Sequence, residues 1–310
     1  MPRISGTADA AAQVLASAND VLSRNIVLIT VDSCRFDTAV AATTPNLDTV
    51  GGLRRAQTYG SFTLPAHAAI FAGFLPNVRD DPDEDFYSKE RRQLWRLASA
   101  RHPARPRHLV SLDGPDILAG FRALGYRTIG AGGVRWFSRG ALPALFDEFH
   151  YWGPDNDAHD KFAPRSASSF ALTHASTLAS RARHAGRYFL FVNAAETHAP
   201  YTLDDDGHVV DEILRRWAGH WNGAAGLPAT SQRDADMRIL HGAQVEALEA
   251  VDSRIGSLLN LLAGRLLVVV CGDHGEAFGE DGLWGHDFPA EQVMSVPMWI
   301  GCVDTRFSGA

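Results

Sequence analysis

The chain has 310 residues, 45% hydrophobic and 21% charged, a balance that fits a globular protein with a sizeable core and excludes a disordered or fibrous one. Its formal charge of −7 offers no basic surface for nucleic acid. Lys89 and Lys161 are the only lysines among 29 basic residues, so amine chemistry has few candidates, and Cys34, Cys271 and Cys302 are too few and scattered for a disulfide framework or a Cys-rich zinc site.

Residues 7–22 read as a weakly amphipathic helix within an N-terminal extension, residues 1–24. Asp9, Asn19 and Asp20 break it, so it lacks the apolar run of roughly 7–15 residues that a secretory signal needs. No stretch of roughly 18 apolar residues occurs elsewhere. The expected compartment is the cytoplasm, with no membrane partner.

Three nearly uninterrupted apolar runs follow: Asn25–Val31, Tyr188–Asn193 and Leu266–Cys271. Such runs, rich in β-branched residues, predict strands covered on both faces, as in a parallel sheet. Shorter strand candidates are Arg127–Gly130 and Met298–Ile300. Helical patterns lie between them at Pro115–Leu124, Ser168–Ala185 and Arg233–Leu262. The last has Ser231 as its expected N-cap, apolar residues at steps of three and four, and Gly264 as its stop. This alternation predicts an α/β fold with a mostly parallel sheet in residues 25–310. Two polar segments, about 77–108 and 201–230, interrupt it and read as surface insertions or lids.

In an open parallel sheet, ligands bind beyond the carboxyl ends of the strands. The first buried run ends in Asp32, the second leads to Glu196-Thr-His198-Ala-Pro-Tyr201, and the third to Asp273-His274-Gly-Glu276. Asp32 taken singly reads equally as a turn residue. The adjacent Asp273-His274 offers an oxygen and a nitrogen ligand, a mixture suited to Zn or Mn rather than Ca. Thr63 precedes Pro65 near the start of a helix expected over Ala66–Ala72, where free N–H groups favour anions. Its hydroxyl can be a cap, or a nucleophile if a metal lowers its pKa.

Taken together these segments resemble the alkaline phosphatase superfamily, in its sulfatase-like and nucleotide pyrophosphatase/phosphodiesterase-like branches. The likeness runs from about Asn25 to Gly301. It is carried by Ile26–Asp32, Thr44-Pro-Asn-Leu-Asp48, Thr63-Leu-Pro-Ala-His67 with Gly73 and Pro76, and Asp116–Thr128. It continues through His198-Ala-Pro-Tyr201, the helix from Val251-Asp252 to Leu262, Gly272-Asp-His-Gly-Glu276 and Gly285-His286. The resemblance implies a three-layer αβα sandwich around a mostly parallel sheet, here expected without the small C-terminal subdomain of many sulfatases. It implies Asp32, Thr63, Asp273 and His274 as ligands of one metal, with Thr63 the nucleophile. His198 and His286 would be ligands of a second metal or groups that hold substrate oxygens and protonate the leaving group.

Departures from the family pattern narrow the expectation. Sulfatases make formylglycine from Cys or Ser in a Cys-x-Pro-Ser-Arg context, where this chain has Thr63 and His67, and no lysine stands in a sulfate-holding motif. Ala194 occupies the place of a phosphodiesterase Asp, leaving a second site short of a ligand that Glu196 or Asp287 would have to supply. The remaining candidates carry supporting readings: His67 in helix packing or behind the ligands, Arg35 contacting a substrate anion or pairing with Asp37 to brace the loop, Asn193 bonding substrate or capping, and Glu276 orienting His274 or the loop. Gly130-Ala-Gly-Gly lacks the third glycine of a dinucleotide loop.

The expected function is metal-dependent hydrolysis of a small-molecule phosphodiester, phosphomonoester or phosphonate ester through a phospho-threonine intermediate. The alternatives are a phosphotransferase with the same site, a sulfate ester hydrolase, or a non-catalytic metal-binding relative. The cofactor expected is Zn2+ or Mn2+ at one site, with a second site open.

Overall fold

A computed structural model describes residues 20, 22–72, 116–138, 141–153, 162, 165–201 and 208–305. The expected N-terminal helix apart from Asp20 and Leu22, Gly73, Pro76 and the 77–108 insertion lie outside these.

The elements alternate as the apolar runs predict. Strand β1 (Asn25–Val31) leads to helices α1 (Phe36–Ala41) and α2 (Pro45–Val50), strand β2 (Arg54–Gln57) and helix α3 (Thr63–Ala72). Helix α4 (Ile117–Ala123), strand β3 (Arg127–Gly132), the short helix α5 (Ala141–Ala144) and strand β4 (Glu148–Tyr151) follow. Next come α6 (Ala175–Ala185), β5 (Tyr188–Ala194), α7 (His208–Trp217) and the long α8 (Ser231–Leu261). The chain continues through β6 (Gly264–Gly272), β7 (Ala277–Phe278), β8 (Trp284–Gly285), α9 (Glu291–Met294) and β9 (Ser295–Thr305).

Seven strands form one sheet in the order β2-β9-β6-β1-β5-β3-β4, and β7 pairs with β8 in a separate ribbon. From β6 to β4 neighbouring strands are parallel, while β9 runs antiparallel to both β6 and β2. Alternate β1 residues serve the two faces. Val27, Ile29 and Val31 pack with Leu178 of α6 and Val251 and Ile255 of α8, while Ile26 and Leu28 pack with Phe71 of α3 and Leu118 of α4. This is a three-layer α/β arrangement with a mostly parallel central sheet.

Two contacts lock α8 to the first turn of α2. Asp252 accepts from the backbone N–H groups of Leu47 at 2.7 Å and Asn46 at 3.2 Å, holding the Thr44-Pro-Asn-Leu turn. Gly256 leaves room for this, since a Cβ there would lie 2.2 Å from Asn46 Oδ1. The α8 cap differs from expectation by one residue: Thr230, not Ser231, accepts from the Arg233 N–H at 3.1 Å. Gly264 opens β6 with φ of 114° rather than merely ending the helix.

The described part of the 201–230 segment is not solvated loop. It contains α7 and a 3-10 turn whose Trp217 and Trp221 are buried in a third apolar cluster with Met237, Leu240, Phe278 and Trp284. That cluster stands beside the strand ends. No helix among the described residues is long and apolar enough to cross a membrane.

Candidate metal centre

Strand register builds the acidic wall. Val31 of β1 pairs with Gly272 of β6, so Asp32 and Asp273 emerge side by side from adjacent parallel strands. Ser33, at φ 60°, turns the chain sharply and points its N–H at Asp273 Oδ1, 3.1 Å away. The same oxygen accepts from the His274 N–H at 2.8 Å. Asp273 Oδ2 is buried without a hydrogen bond; His67 Nδ1 lies 3.6 Å from it and His274 Nε2 3.7 Å.

His274 is oriented as a ligand. Its Nδ1–H donates to Gly275 O at 2.9 Å, which leaves the Nε2 lone pair facing the acids, 3.8 Å from Asp32 Oδ1. One ligand atom each from Asp32, Asp273 and His274 fall within 4.8 Å of one another, and all three residues are fully buried. Burial and the neighbouring Asp32 hold the Asp273 carboxyl well above its usual range, and burial pushes His274 down to about 4. A buried carboxylate pair with a neutral imidazole and an unpaired oxygen is a costly arrangement that a divalent cation would relieve. The residues present fit such an ion.

Thr63 completes the cluster. Its Oγ1 lies 3.4 Å from Asp32 Oδ2 and 3.5 Å from His274 Nε2. It opens α3, which starts three residues earlier than expected and keeps Pro65 in the first turn. Gly60 permits the tight entry, because a Cβ there would lie 2.2 Å from the Ala66 nitrogen. His67, one turn on, is a brace. Thr63 O can only accept, so Nδ1–H donates to it at 2.7 Å, and Nε2 accepts from the Thr30 hydroxyl at 2.9 Å. Asn193 Nδ2 donates to Thr30 Oγ1 at 3.2 Å and Asp32 Oδ2 at 3.1 Å, closing the network. Burial among Phe71, Phe137 and Phe191 pushes His67 down to about 4, keeping it neutral.

The opposite wall carries the other two predicted histidines. The His286 ring centroid is 4.6 Å from that of His274 and 5.3 Å from that of His198. His198 Nδ1–H donates to Ala199 O at 2.7 Å. Glu276 orients this wall rather than His274: its Oε1 is 3.6 Å from His286 Nδ1, and its Oε2 accepts from Tyr201 OH at 2.5 Å. Burial pushes the Glu276 carboxyl up to about 8. Trp221 covers His286 at 5.4 Å, and Asn222 in a left-handed turn accepts from the His286 N–H at 3.3 Å.

All six predicted site residues thus line one site, but the histidine wall lacks a second acidic ligand set among the described residues. Ala194 is buried at its strand end. Glu196 is engaged by Arg254 Nη1 at 2.8 Å, and the Asp287 N–H donates to Ser61 O at 2.8 Å. Arg35 is a brace, bonded to Asp37, Glu280 and Glu276 O. Burial pushes up the Cys34 thiol, and desolvation pushes the half-buried Cys271 thiol up to about 12.

Sequence reasoning missed Gln244, whose Nε2 donates to Ser33 O at 2.9 Å and Thr197 O at 3.0 Å, tying together the loops after β1 and β5. Its signal was present: an amide at an apolar-face position of α8, between Leu240 and Leu248. Trp221 and Asn222 carried no such signal.

The Sulfatase family model matches residues 24–300. No curated protein matches the chain. Among solved structures it is similar to the C-terminal periplasmic domain of EcEptC from Escherichia coli in complex with Zn, at 13% identity and TM-score 0.54, covering 90% of this chain and 73% of that one. It is also similar to phosphonate monoester hydrolase of Agrobacterium radiobacter, at 15% identity and TM-score 0.54, with 89% and 68% covered. A third is BT1596, a 2-O GAG sulfatase, at 13% identity and TM-score 0.55, with 90% and 64% covered. At these identities the structures speak for the fold alone, and the family match carries the assignment. The chain belongs to the Sulfatase family, within the alkaline phosphatase superfamily of enzymes that act on phosphate or sulfate esters.

Proposed function

We propose that the chain is a metal-dependent hydrolase of small-molecule phosphate or phosphonate esters, with Thr63 as nucleophile. The observation that carries this reading is the placement of Thr63 Oγ1 between Asp32 and His274, whose Nε2 also lies 3.7 Å from the unpaired Oδ2 of Asp273. Asp32, Thr63, Asp273 and His274 would hold one Zn2+ or Mn2+, which when bound supplies Lewis-acid charge that lowers the hydroxyl pKa and polarises the ester.

The chain's own groups do the rest. Asp32 accepts the Thr63 hydroxyl proton as the Thr63 Oγ1–phosphorus bond forms and the bond to the leaving oxygen breaks. His198 and His286, on the far side, hold the non-bridging oxygens and protonate the leaving alcohol. Water then attacks the phospho-threonine, giving a proton back to the histidine that protonated the leaving oxygen, and as its oxygen bonds to phosphorus Thr63 leaves and recovers its proton from Asp32. His67 and Asn193 keep Thr63 and Asp32 in register throughout. A threonine at the nucleophile position favours phosphorus over sulfur, because no cysteine or serine stands there to become formylglycine.

A soluble small-molecule substrate in the cytoplasm completes the proposal, since the net charge of −7 suits neither nucleic acid nor an anionic surface. A transferase using the same site differs only in the acceptor of the second step. Assay with aryl phosphate, aryl phosphodiester and aryl sulfate, each with Zn2+ or Mn2+, tests the reading. Turnover of a phosphorus ester, a trapped phosphate on Thr63, and an unchanged product on adding an alcohol acceptor are expected. Turnover of the sulfate alone, or of nothing, contradicts the reading, and phosphorylated alcohol would make the enzyme a transferase.

A further inference from the structure

Arg165 is seated at the carboxyl end of β3, two strands from the β1 end that carries Asp32, and the proposed mechanism does not use it. Its Nη2 donates to Gly133 O at 2.5 Å and to Ser169 O at 2.9 Å, and its guanidinium carbon sits 4.6 Å from the Phe170 ring centroid. The other guanidinium near that ring, Arg254, is 5.9 Å away and is spent on Glu196 at 2.8 Å. Among the described residues Arg165 makes no ion pair, and its buried Nε has no hydrogen-bond partner. Glu196 is 1% exposed, and its Oε2 is likewise unpartnered. Two arginines and one glutamate leave this cluster one positive charge in excess.

Position gives that charge a use. Gly133 directly follows β3, and a Cβ there would lie 3.1 Å from Arg165 Nη2, so glycine lets the guanidinium seat on the backbone. Strand β5 separates β3 from β1, whose end carries Asp32. Two interstrand spacings put the end of β3, on whose Gly133 carbonyl Arg165 is seated, about 10 Å from the end of β1. Burial lowers the Arg165 pKa, and Glu196, Tyr151 and Asp32 partly offset this, which places it in the electrostatic field of the site.

We infer that Arg165 is a second anion-binding point of the substrate cleft, so that the substrate carries, besides its reacting phosphoryl or phosphonyl group, an anionic group such as a carboxylate about two strand spacings away. The inference rests on the reading that the ester reacts at Thr63. A guanidinium held by two carbonyls and an aromatic face is already oriented, so it pairs with a carboxylate at little further ordering cost.

Calorimetric titration of the Zn2+-supplemented protein with pentylphosphonate, and with the same phosphonate bearing an ω-carboxylate, tests it without turnover. The carboxylated ligand is expected to bind about tenfold more tightly. Arg165→Met is expected to abolish that preference while leaving pentylphosphonate affinity and metal content unchanged. Equal affinity in the parent protein overturns the inference, as does a preference that survives Arg165→Met, the result given if a water merely bridges Arg165 and Glu196. Should that variant not fold, Arg165→Lys, which keeps the charge without the planar fork, must show a reduced preference. The preference without any ester turnover would sink the hydrolase reading and keep this one; turnover without the preference would do the reverse.

Discussion

Asp32, Thr63, Asp273 and His274 lie at or within two residues of a regular element and are at most 3% exposed. His198 lies in a turn and His286 follows a two-residue strand, and both are positioned by the aromatic cluster around Trp221 and by left-handed residues such as Asn222. The first wall is therefore set by sheet register and buries two neighbouring carboxyl groups whose charge a divalent cation would offset. The second is set by packing between loops, and its geometry depends on the α7–α8 region holding its place. On the proposed mechanism the walls have different tasks: one would fix the nucleophile, and the other would adapt to what leaves.

Several substitutions can break that division. Thr63→Ala removes the proposed nucleophile and should lower kcat/KM by about 10⁴-fold or more without unfolding the protein. Retained turnover would transfer the nucleophile to another group. Asp273→Asn should release the metal, seen by elemental analysis, and lower activity by a comparable factor. It should also raise the melting temperature of chelator-treated protein. The raised Asp273 pKa means the folded, metal-free state holds that proton more tightly than the unfolded chain does, so its stability falls as pH climbs above the ordinary carboxylate range. With metal present the order of stabilities should reverse.

On the far wall, His198→Ala and His286→Ala should each lower kcat by about 10²–10³-fold while metal content stays whole. Loss of metal in either would merge the two walls into one site. His67→Phe, which keeps the ring and removes both hydrogen bonds, should cost about tenfold in kcat with little change in KM, since it loosens Thr63 rather than removing it.

The smallest effect tests Glu276. Its carboxyl is raised by burial to about 8 from an ordinary 4.5, so the folded state holds the extra proton across that window and stability falls as pH rises through it. Glu276→Gln should flatten that part of the melting-temperature profile. An unchanged slope would place the titration elsewhere.

How much of this was legible depended on what fixes each part. β1, β5 and β6 announced themselves because strands buried on both faces are apolar throughout, and their ends pointed to Asp32 and Asp273. β2 and β4 did not, since they are short edge strands with polar, half-buried residues such as Arg54 and Glu148. His198 stood out just past the β5 run but took its role only from the resemblance, and His286 was found through the resemblance alone. Trp221 and Asn222 were missed because their roles arise where a helix, a turn and a ribbon meet, a relation no local pattern encodes. Gln244 was readable as an amide among apolar neighbours, but its partners, two strand-end loops, were not.

Anomalous diffraction from crystals grown with Zn2+ or Mn2+ tests the central claim most directly. One strong peak bonded to Asp32, Asp273, His274 and Thr63 Oγ1 is the expected result. A peak seated elsewhere, or a threonine hydroxyl turned away from an ion held by the other three, would contradict it.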